Sequence, residues 1–402
     1  MAGIDEAEAP ASLGSAFETK KHISFLLRCL RLLPQPYTSA DDQRMTLGYF
    51  AVSGLDLLGA TGKIASDEKT DLLDWVYEQQ CPHGGFRGGP STPFPSTSTN
   101  TAGGGANVAM TYAALLILAV LRDDFSRLNR SALLQFVGDL QDKNGRGGFA
   151  AEVPQPHEAE RGLVERDPRF TYCAMAICSM LGEWSTIDVA AARTYLEGCQ
   201  RFDGGFGASE AHESHSGMTY CCIAALNFLP PTGTESVIWQ RKEEAISWLA
   251  HRQVAPSSAH LSQQSPSAPA TRDQDEVDSD AGSEEEEEEE EEVELSGGFQ
   301  GRPSKLPPDV CYSFWNGAAL TLLSQHELVD AEADAKYVLS AQSKVGGIAK
   351  IPDDPPDLLH TYLGLASLSL HQAEIALGLK QLDAAWNCST DASDWIKAHL
   401  HQ

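Results

Sequence analysis

An all-α fold, a closed α-α barrel of helical-hairpin repeats, is what this 402-residue sequence predicts, on three observations. A glycine pair followed by an apolar residue recurs along the chain. After each pair and a loop comes an Ala- and Leu-rich segment that is apolar on every side. Before each pair comes an amphipathic, charged segment. A helix apolar all round has to be buried. A charged helix stopped by a Gly-rich turn belongs outside it. Single hairpins of this kind cannot cover their apolar faces, but a ring of them can. β-strand patterning is weak throughout.

The elements follow in order. Residues 1–20 read as a flexible N-terminal tail, since "MAGIDEAEAP" is acidic and has no apolar core of the kind a signal peptide needs. Residues 21–402 read as one barrel domain. Outer helices are expected in "DEKTDLLDWVYEQQ", "LNRSALLQFVGDLQ", "VAARTYLEGCQ" and "EEAISWLAHRQ". The turns are Gly84-Gly85-Phe86, Gly147-Gly148-Phe149, Gly204-Gly205-Phe206, Gly297-Gly298-Phe299 and Gly346-Gly347-Ile348. The buried helices are Tyr-led, with Tyr112, Tyr172, Tyr220, Tyr312 and Tyr362 at their starts. The interval between Tyr220 and Tyr312 is long because residues 254–296 are Ser-, Pro- and acid-rich, with an unbroken Glu284–Glu292 run. Such a stretch cannot bury enough apolar area to offset its ordering entropy, so it reads as a disordered acidic insertion.

Charge and cysteine usage exclude several classes. Lys and Arg number 29 and Asp and Glu 57, a net charge of −28. Residues 271–294 contribute 15 acids and one arginine, hence −14, and the rest of the chain the other −14. A phosphate backbone needs a basic face, so nucleic acid is not an expected partner. The nine cysteines are scattered with no CxxC pair, which argues against a disulfide scaffold and for a reducing, cytoplasmic setting. The longest apolar run, Val108–Leu121, is too short to span a bilayer.

The chemistry-bearing residues gather at the starts of the buried segments. Asp309 and Cys311 sit beside the start of one, and His360 opens the next. Asp, Cys and His can give Zn²⁺ three ligands and leave a fourth position open. The same residues also read as a capping Asp, a buried Cys and a satisfied His. Arg302, Lys305, His215 and Tyr312 lie just before or within the starts of such segments, where helix N-termini favour anions. "DDPPD", Asp353 to Asp357, matches a DDxxD magnesium motif, but Pro355 and Pro356 preclude the helix that motif needs, so it reads as a chance loop match.

Together the motifs "RMTLGYFAVSGLDLL", "DPRFTYC", "ESHSGMTYC", "GRPSK…DVCYSFW" and "VGGIAKIPDDPPDLLHTYLG" resemble the β subunits of protein prenyltransferases, above all those of type I geranylgeranyltransferases. The resemblance covers roughly residues 20–250 and 296–400. It implies an α-α toroid with one Zn²⁺ held by Asp309, Cys311 and His360, and a diphosphate set of His215, Arg302, Lys305 and Tyr312. It implies that Arg169, Tyr172, Cys221, Tyr112 and Trp315 line the lipid and peptide funnel, with Arg169 near the peptide carboxylate and Met110 and Leu359 around its last residue. Thr46 stands where farnesyltransferases resemble one another in a large Trp, which implies room for a longer lipid. Lys350 stands where they have a magnesium-binding Asp, which implies that Mg²⁺ is not required. Implied partners are a prenyltransferase α subunit in an obligate heterodimer, geranylgeranyl diphosphate, and proteins ending in CaaX such as small GTPases. The expected activity is transfer of geranylgeranyl to a CaaX cysteine, X often Leu. A farnesyltransferase β subunit, a terpene cyclase-like toroid and a non-catalytic toroid are the alternatives. One departure stands out: three residues, Leu306-Pro307-Pro308, separate Lys305 from Asp309 where the family usually has two.

Overall fold

The computed structural model describes residues 13–92, 105–143, 146–155, 164–209, 211–230, 239, 241–255, 297–303, 307–371 and 375–401. Among these residues six hairpins run outer helix first: α1 (Thr19–Arg31) with α2 (Arg44–Leu57), α3 (Ser66–Glu78) with α4 (Val108–Val120), α5 (Arg130–Leu140) with α6 (Pro168–Leu181), α7 (Val189–Gly198) with α8 (Ser216–Phe228), α9 (Lys242–Ala250) with α10 (Val310–Leu322), and α11 (Ala331–Ser340) with α12 (Leu358–Leu370). Each even-numbered helix packs on the next, and α12 returns to α2, closing the ring. A last helix, α13 (Thr390–Leu400), lies against α4 and α6. Two short antiparallel ladders accompany them: β1 (Ile348–Ala349) with β2 (Pro356–Asp357), Ile348 opposite Asp357, and β3 (Leu382–Asp383) with β4 (Cys388–Ser389), Leu382 opposite Ser389. The inner helix α4 shows why the ring forms: twelve of its thirteen residues, all but Ala109, are buried.

The glycine pairs are the joints. Gly204 has φ +99°, and a Cβ there would lie 2.3 Å from the Glu244 carbonyl oxygen of α9. A Cβ on Gly205 would lie 2.6 Å from the Trp248 ring. The other turns meet the following outer helix in the same way, and the last, at Gly346, meets Lys21 of α1. Removing the side chain lets each turn abut the next hairpin, and the final one completes the circle. The third residue of four of the five motifs ties the turn inward: the N–H groups of Phe86, Phe149, Phe206 and Ile348 donate to the hydroxyls of Thr111, Thr171, Thr219 and Thr361.

This register corrects one expectation. Tyr112, Tyr172, Tyr220 and Tyr362 each follow one of those threonines, but in α10 the corresponding pair is Ser313-Phe314. Phe314 is fully buried, with its ring 5.1 Å from that of Tyr220, whereas Tyr312 is only partly buried and faces His215. The tyrosine series therefore omits Tyr312, and Tyr49 of α2 joins it. The hydroxyls of Tyr49, Tyr112, Tyr172, Tyr220 and Tyr362 donate to carbonyls of the turn between β3 and β4: Asn387 (2.5 Å), Trp386 (2.9 Å), Ala385 (2.8 Å), Ala384 (3.0 Å) and Asn387 (2.6 Å). Buried carbonyls need donors, and here the ring of tyrosines supplies them. The C-terminal turn thereby fills the centre of the ring.

A second repeat, of glutamines, runs alongside the glycine pairs. A glutamine precedes each turn and clamps the following hairpin. Gln141 exchanges hydrogen bonds with the Asp188 backbone, Gln253 with that of Asp330, and Gln342 binds Ala16 and Glu18.

At the N-terminus, residues 1–12 of the expected tail lie outside the described residues. Leu13–Ala16 is helical and α1 begins at Thr19. Nearly all of the acidic insertion likewise lies outside them. At its base the Val254 N–H donates to the Gly298 carbonyl (2.9 Å), so the chain leaves and re-enters at one turn. Among the described residues no helix is long and apolar enough to cross a membrane.

Candidate metal and anion site

Because outer and inner helices alternate along the chain, the N-termini of all the inner helices share one rim. Most begin on a side-chain cap. Asn107, Asp167, His215, Asp309 and Asp357 cap α4, α6, α8, α10 and α12. Each side chain accepts backbone N–H groups that the helix itself leaves unpaired. The candidate chemistry is built from these caps and the residues beside them.

Asp309 accepts the N–H of Cys311 (2.8 Å), which fixes both residues at the start of α10. The neighbouring chain is pinned as well: Tyr337 donates to the Pro308 carbonyl (2.6 Å) and Val310 N–H to that of Lys350 (3.0 Å). On α12, Asp357 accepts both the His360 backbone N–H (2.9 Å) and the ring Nδ1–H (2.5 Å). That double bond turns Nε2 toward Asp309, 3.3 Å away. The result is a compact set: one donor atom each from Asp309, Cys311 and His360, all within 4.8 Å of one another, on three buried residues. Oxygen, sulfur and nitrogen donors in this number suit zinc with an open position. Capping and ligation do not compete here, because the cap leaves Asp309 directed at His360.

The three groups perturb one another strongly. Burial works to raise the Asp309 pKa, but hydrogen bonds from His360 and Cys311 outweigh it and hold the carboxyl below the usual range. Burial, reinforced by Asp309, pushes the Cys311 thiol well up. Burial disfavours a charged His360, yet its bonds to Asp309 and Asp357 lift it to about 9. A divalent cation bound here would have to displace the protons of Cys311 and His360, so binding should release protons and weaken as pH falls.

Beside it lies a cavity of about 300 Å³ whose walls include Arg302, Asp309, Tyr312, Lys350 and Asp354. Lys350 Nζ is 3.8 Å from Asp309. His215 accepts the Gly217 N–H at Nδ1 (3.1 Å), so its proton sits on Nε2, 3.4 Å from the Tyr312 hydroxyl. Burial, with Arg302 and Arg169 nearby, lowers its pKa to about 4. His215 is therefore a neutral N–H donor rather than a cation. Arg302 Nε lies 3.2 Å from Glu213. Lys305 falls outside the described residues.

The remaining expected residues divide into two groups. Thr46 donates to the Met110 sulfur at 3.3 Å, so those two do meet. Trp315 packs on Tyr220 and Phe314. Cys221 is buried on α8, and Leu359 is exposed at the rim. Arg169 is held by a two-point ion pair to its own helix cap, Asp167 (2.9 Å at each). Tyr112 and Tyr172 are buried, with their hydroxyls committed to the C-terminal turn. Asp357, which the "DDPPD" match hides within a loop, is the residue that orients His360. The stretch is indeed no helix, with Asp353 at φ +68° and Pro356-Asp357 in β2. An Asp three residues before the first polar group of an apolar helix is a capping signal that the sequence does carry.

Comparison with known proteins agrees with this architecture. The prenyltransferase alpha-alpha toroid domain pattern matches residues 17–388. The chain is 32% identical over 384 residues to the geranylgeranyl transferase type-1 subunit beta of Arabidopsis thaliana, covering 90% of this chain and 86% of that one. It is 31% identical over 408 residues to the subunit of the same name from Dictyostelium discoideum, covering 96% and 99%. Among solved structures, Candida albicans protein geranylgeranyltransferase-I complexed with GGPP aligns with a TM-score of 0.76 at 25% identity, covering 96% of this chain and 100% of that chain. The chain belongs to the prenyltransferase α-α toroid family.

Proposed function

We propose that this chain is the catalytic β subunit of a zinc-dependent protein geranylgeranyltransferase type I. It works with an α subunit and moves the geranylgeranyl group of geranylgeranyl diphosphate to the cysteine of C-terminal CaaX sequences. The observation that carries the reading is the convergence of Asp309, Cys311 and His360 at the edge of a cavity that Arg302, Tyr312 and Lys350 also line. A thiol activator and an anion receiver side by side suit attack of sulfur on an allylic diphosphate.

Asp309, Cys311 and His360 would hold zinc. What the metal supplies there is a substrate thiol kept deprotonated at neutral pH, against a free thiol pKa of about 8.5. The remaining work falls to the chain. The sulfur–carbon bond forms as the allylic carbon–oxygen bond breaks. Diphosphate leaves with the electron pair, and the thiol proton passes to solvent. Arg302 and Lys350 offer charge to the leaving group, and the Tyr312 hydroxyl and His215 Nε2–H offer neutral donors. Lys350, 3.8 Å from Asp309, stands where the resemblance puts a magnesium-binding Asp in farnesyltransferases, which supports turnover without added magnesium. The aromatic groups behind Cys311 exclude water from the cationic carbon. The small Thr46 beside Met110 supports the longer lipid.

The test is co-expression with an α subunit, then competition between geranylgeranyl and farnesyl diphosphates for CaaX peptides ending in Leu or Ser, with and without Mg²⁺. Geranylgeranyl transfer to the Leu peptide, indifferent to Mg²⁺, is expected. Cys311→Ala should lose stoichiometric zinc and turnover while keeping its helical circular dichroism. Farnesyl preference, or full zinc retention by Cys311→Ala, would overturn the reading.

A further inference from the structure

The ion pair between Arg302 and Glu213 joins two loops at the cavity mouth, with Arg302 Nε 3.2 Å from Glu213 Oε2. As a stabilising contact it counts for little. The two side chains are 38% and 51% exposed, and such pairs contribute weakly to folding. Its placement says more.

Glu213 projects from a rigid base. The next residue, Ser214, is buried and donates its hydroxyl to Asp203 (2.5 Å). The previous one, His212, bonds through its ring to Ser209 (2.6 Å). The carbonyls of His212 and Glu213 press so closely on Gly207 that a Cβ there would lie 2.5 and 3.1 Å from them. Two residues on, His215 caps α8. Arg302 is the opposite case. The backbone of Gly301 is fixed, its carbonyl accepting the Ser216 N–H (2.9 Å) and its Cα resting against the Tyr312 ring. The Arg302 side chain, however, is long and half-open to solvent, and it is held to Glu213 by charge rather than by an aligned Nε hydrogen bond.

We infer that Glu213 is a positioning residue for Arg302: it holds the guanidinium at the mouth of the cavity and touches no substrate itself. The closest approach of the carboxylate is to Nε, on the side of the guanidinium, whereas the terminal fork is the part that matches two phosphate oxygens. A carboxylate at the fork would compete with diphosphate. A carboxylate at the Nε edge aims the fork and restricts the rotamers that Arg302 would otherwise lose on binding. The inference rests on reading this cavity as a diphosphate site.

The experiment uses the full chain co-purified with its α subunit and loaded with zinc. Inorganic diphosphate is titrated calorimetrically, and KM is measured separately for the lipid diphosphate and for the acceptor peptide. Glu213→Ala should weaken diphosphate binding by about fivefold to thirtyfold, raise KM for the lipid in step, and leave KM for the peptide unchanged. Glu213→Gln should recover only part of the loss, since it restores the shape and not the charge. In an Arg302→Ala background, Glu213→Ala should cost nothing further, because the two act as one unit. Diphosphate binding by Glu213→Ala as tight as wild type or tighter, or additive losses in the double variant, would overturn the role of Glu213. Failure of the wild-type complex to bind inorganic diphosphate would instead overturn the diphosphate reading of the cavity, and the inference with it.

Discussion

Asp357 does two jobs with one carboxylate, and substitution can separate them. Oδ1 accepts the His360 backbone N–H at 2.9 Å, and Oδ2 accepts the ring Nδ1–H at 2.5 Å. Asp357→Ala removes both. The lost cap costs about 1 kcal/mol, which in a chain of this size lowers Tm by at most about 2 °C. The lost ring bond frees the imidazole to rotate and lets either tautomer form. Partners of this kind behind a metal-ligating His are worth about 10- to 100-fold in metal affinity. Asp357→Asn is the decisive variant. Asn caps as well as Asp, so Tm should stay within about 1 °C. But its amide has a single oxygen. If that oxygen serves the backbone N–H, the NH₂ faces Nδ1 and drives the proton to Nε2, the atom that points at Asp309. Zinc affinity should then fall by about 10-fold or more with little change in stability. Competition with a chromophoric chelator measures the affinity, and calorimetric scanning measures Tm. An Asn variant that binds zinc like wild type would refute the argument, because the cap would then be all that Asp357 provides.

Three further outcomes follow from the same geometry. Thr46→Trp would fill the space beside Met110. One isoprene unit carries five carbons at about 0.8 kcal/mol each, so the preference for geranylgeranyl over farnesyl diphosphate should drop by at least about tenfold, with a ceiling near a thousandfold; an unchanged ratio in lipid competition removes the size argument. His215 has a folded pKa of about 4, below its unfolded 6.5, because burial and the neighbouring Arg302 and Arg169 disfavour the cation. Its contribution to stability is thus complete above pH 6.5 and is lost as pH falls toward 4, since the unfolded chain takes up a proton that the native state refuses. His215→Asn should flatten the fall of Tm over that window, and equal slopes would count against this assignment. Gly204→Ala places a Cβ at φ +99° and 2.3 Å from the Glu244 carbonyl, so thermal melts should show a loss of about 2 kcal/mol or more.

The ring was legible because its joints are glycines. Each pair answers to a contact that only a missing side chain allows, and that requirement writes itself into the sequence at every hairpin. Asp309, Cys311 and His360 were legible for a related reason: their positions at starts of apolar helices fix which end of the barrel they occupy. What was not legible depends on register within a helix turn. Tyr312 and Phe314 lie two residues apart on α10, and the tyrosine pattern favours Tyr312. Only the hydroxyl residue before the deep aromatic, a threonine before Tyr112, Tyr172, Tyr220 and Tyr362 and Ser313 here, sets the phase, and the structure gives the deep position to Phe314. The fate of the Tyr112 and Tyr172 hydroxyls was equally hidden, because their acceptors are carbonyls more than two hundred residues away. No local pattern marks a backbone oxygen as unpaired. The buried Asp334, which takes hydrogen bonds from Ser313, Ser367 and His371 and staples α11 to α10 and α12, was unreadable on the same grounds.

The rim explains why so much of the candidate site coincides with helix caps. Five of the six described inner helices begin on a side-chain acceptor for their unpaired N–H groups, so this fold sets short polar side chains around one rim whatever its activity. Two of these caps take part directly in the candidate chemistry. Asp309 keeps its cap bond while facing His360, and His215 keeps its own on Nδ1 while presenting Nε2–H toward Tyr312. Two others orient a neighbour: Asp357 sets the His360 ring and Asp167 holds the Arg169 guanidinium by two bonds. A cap can serve twice because capping uses one lone pair or one ring nitrogen and leaves the rest of the group free to point inward. Asn107, whose described bonds at α4 are those of a cap, shows the position without the second role. The chemistry of the site thus sits on positions the barrel already obliges to be polar, and its cost in buried, unpaired groups is correspondingly small.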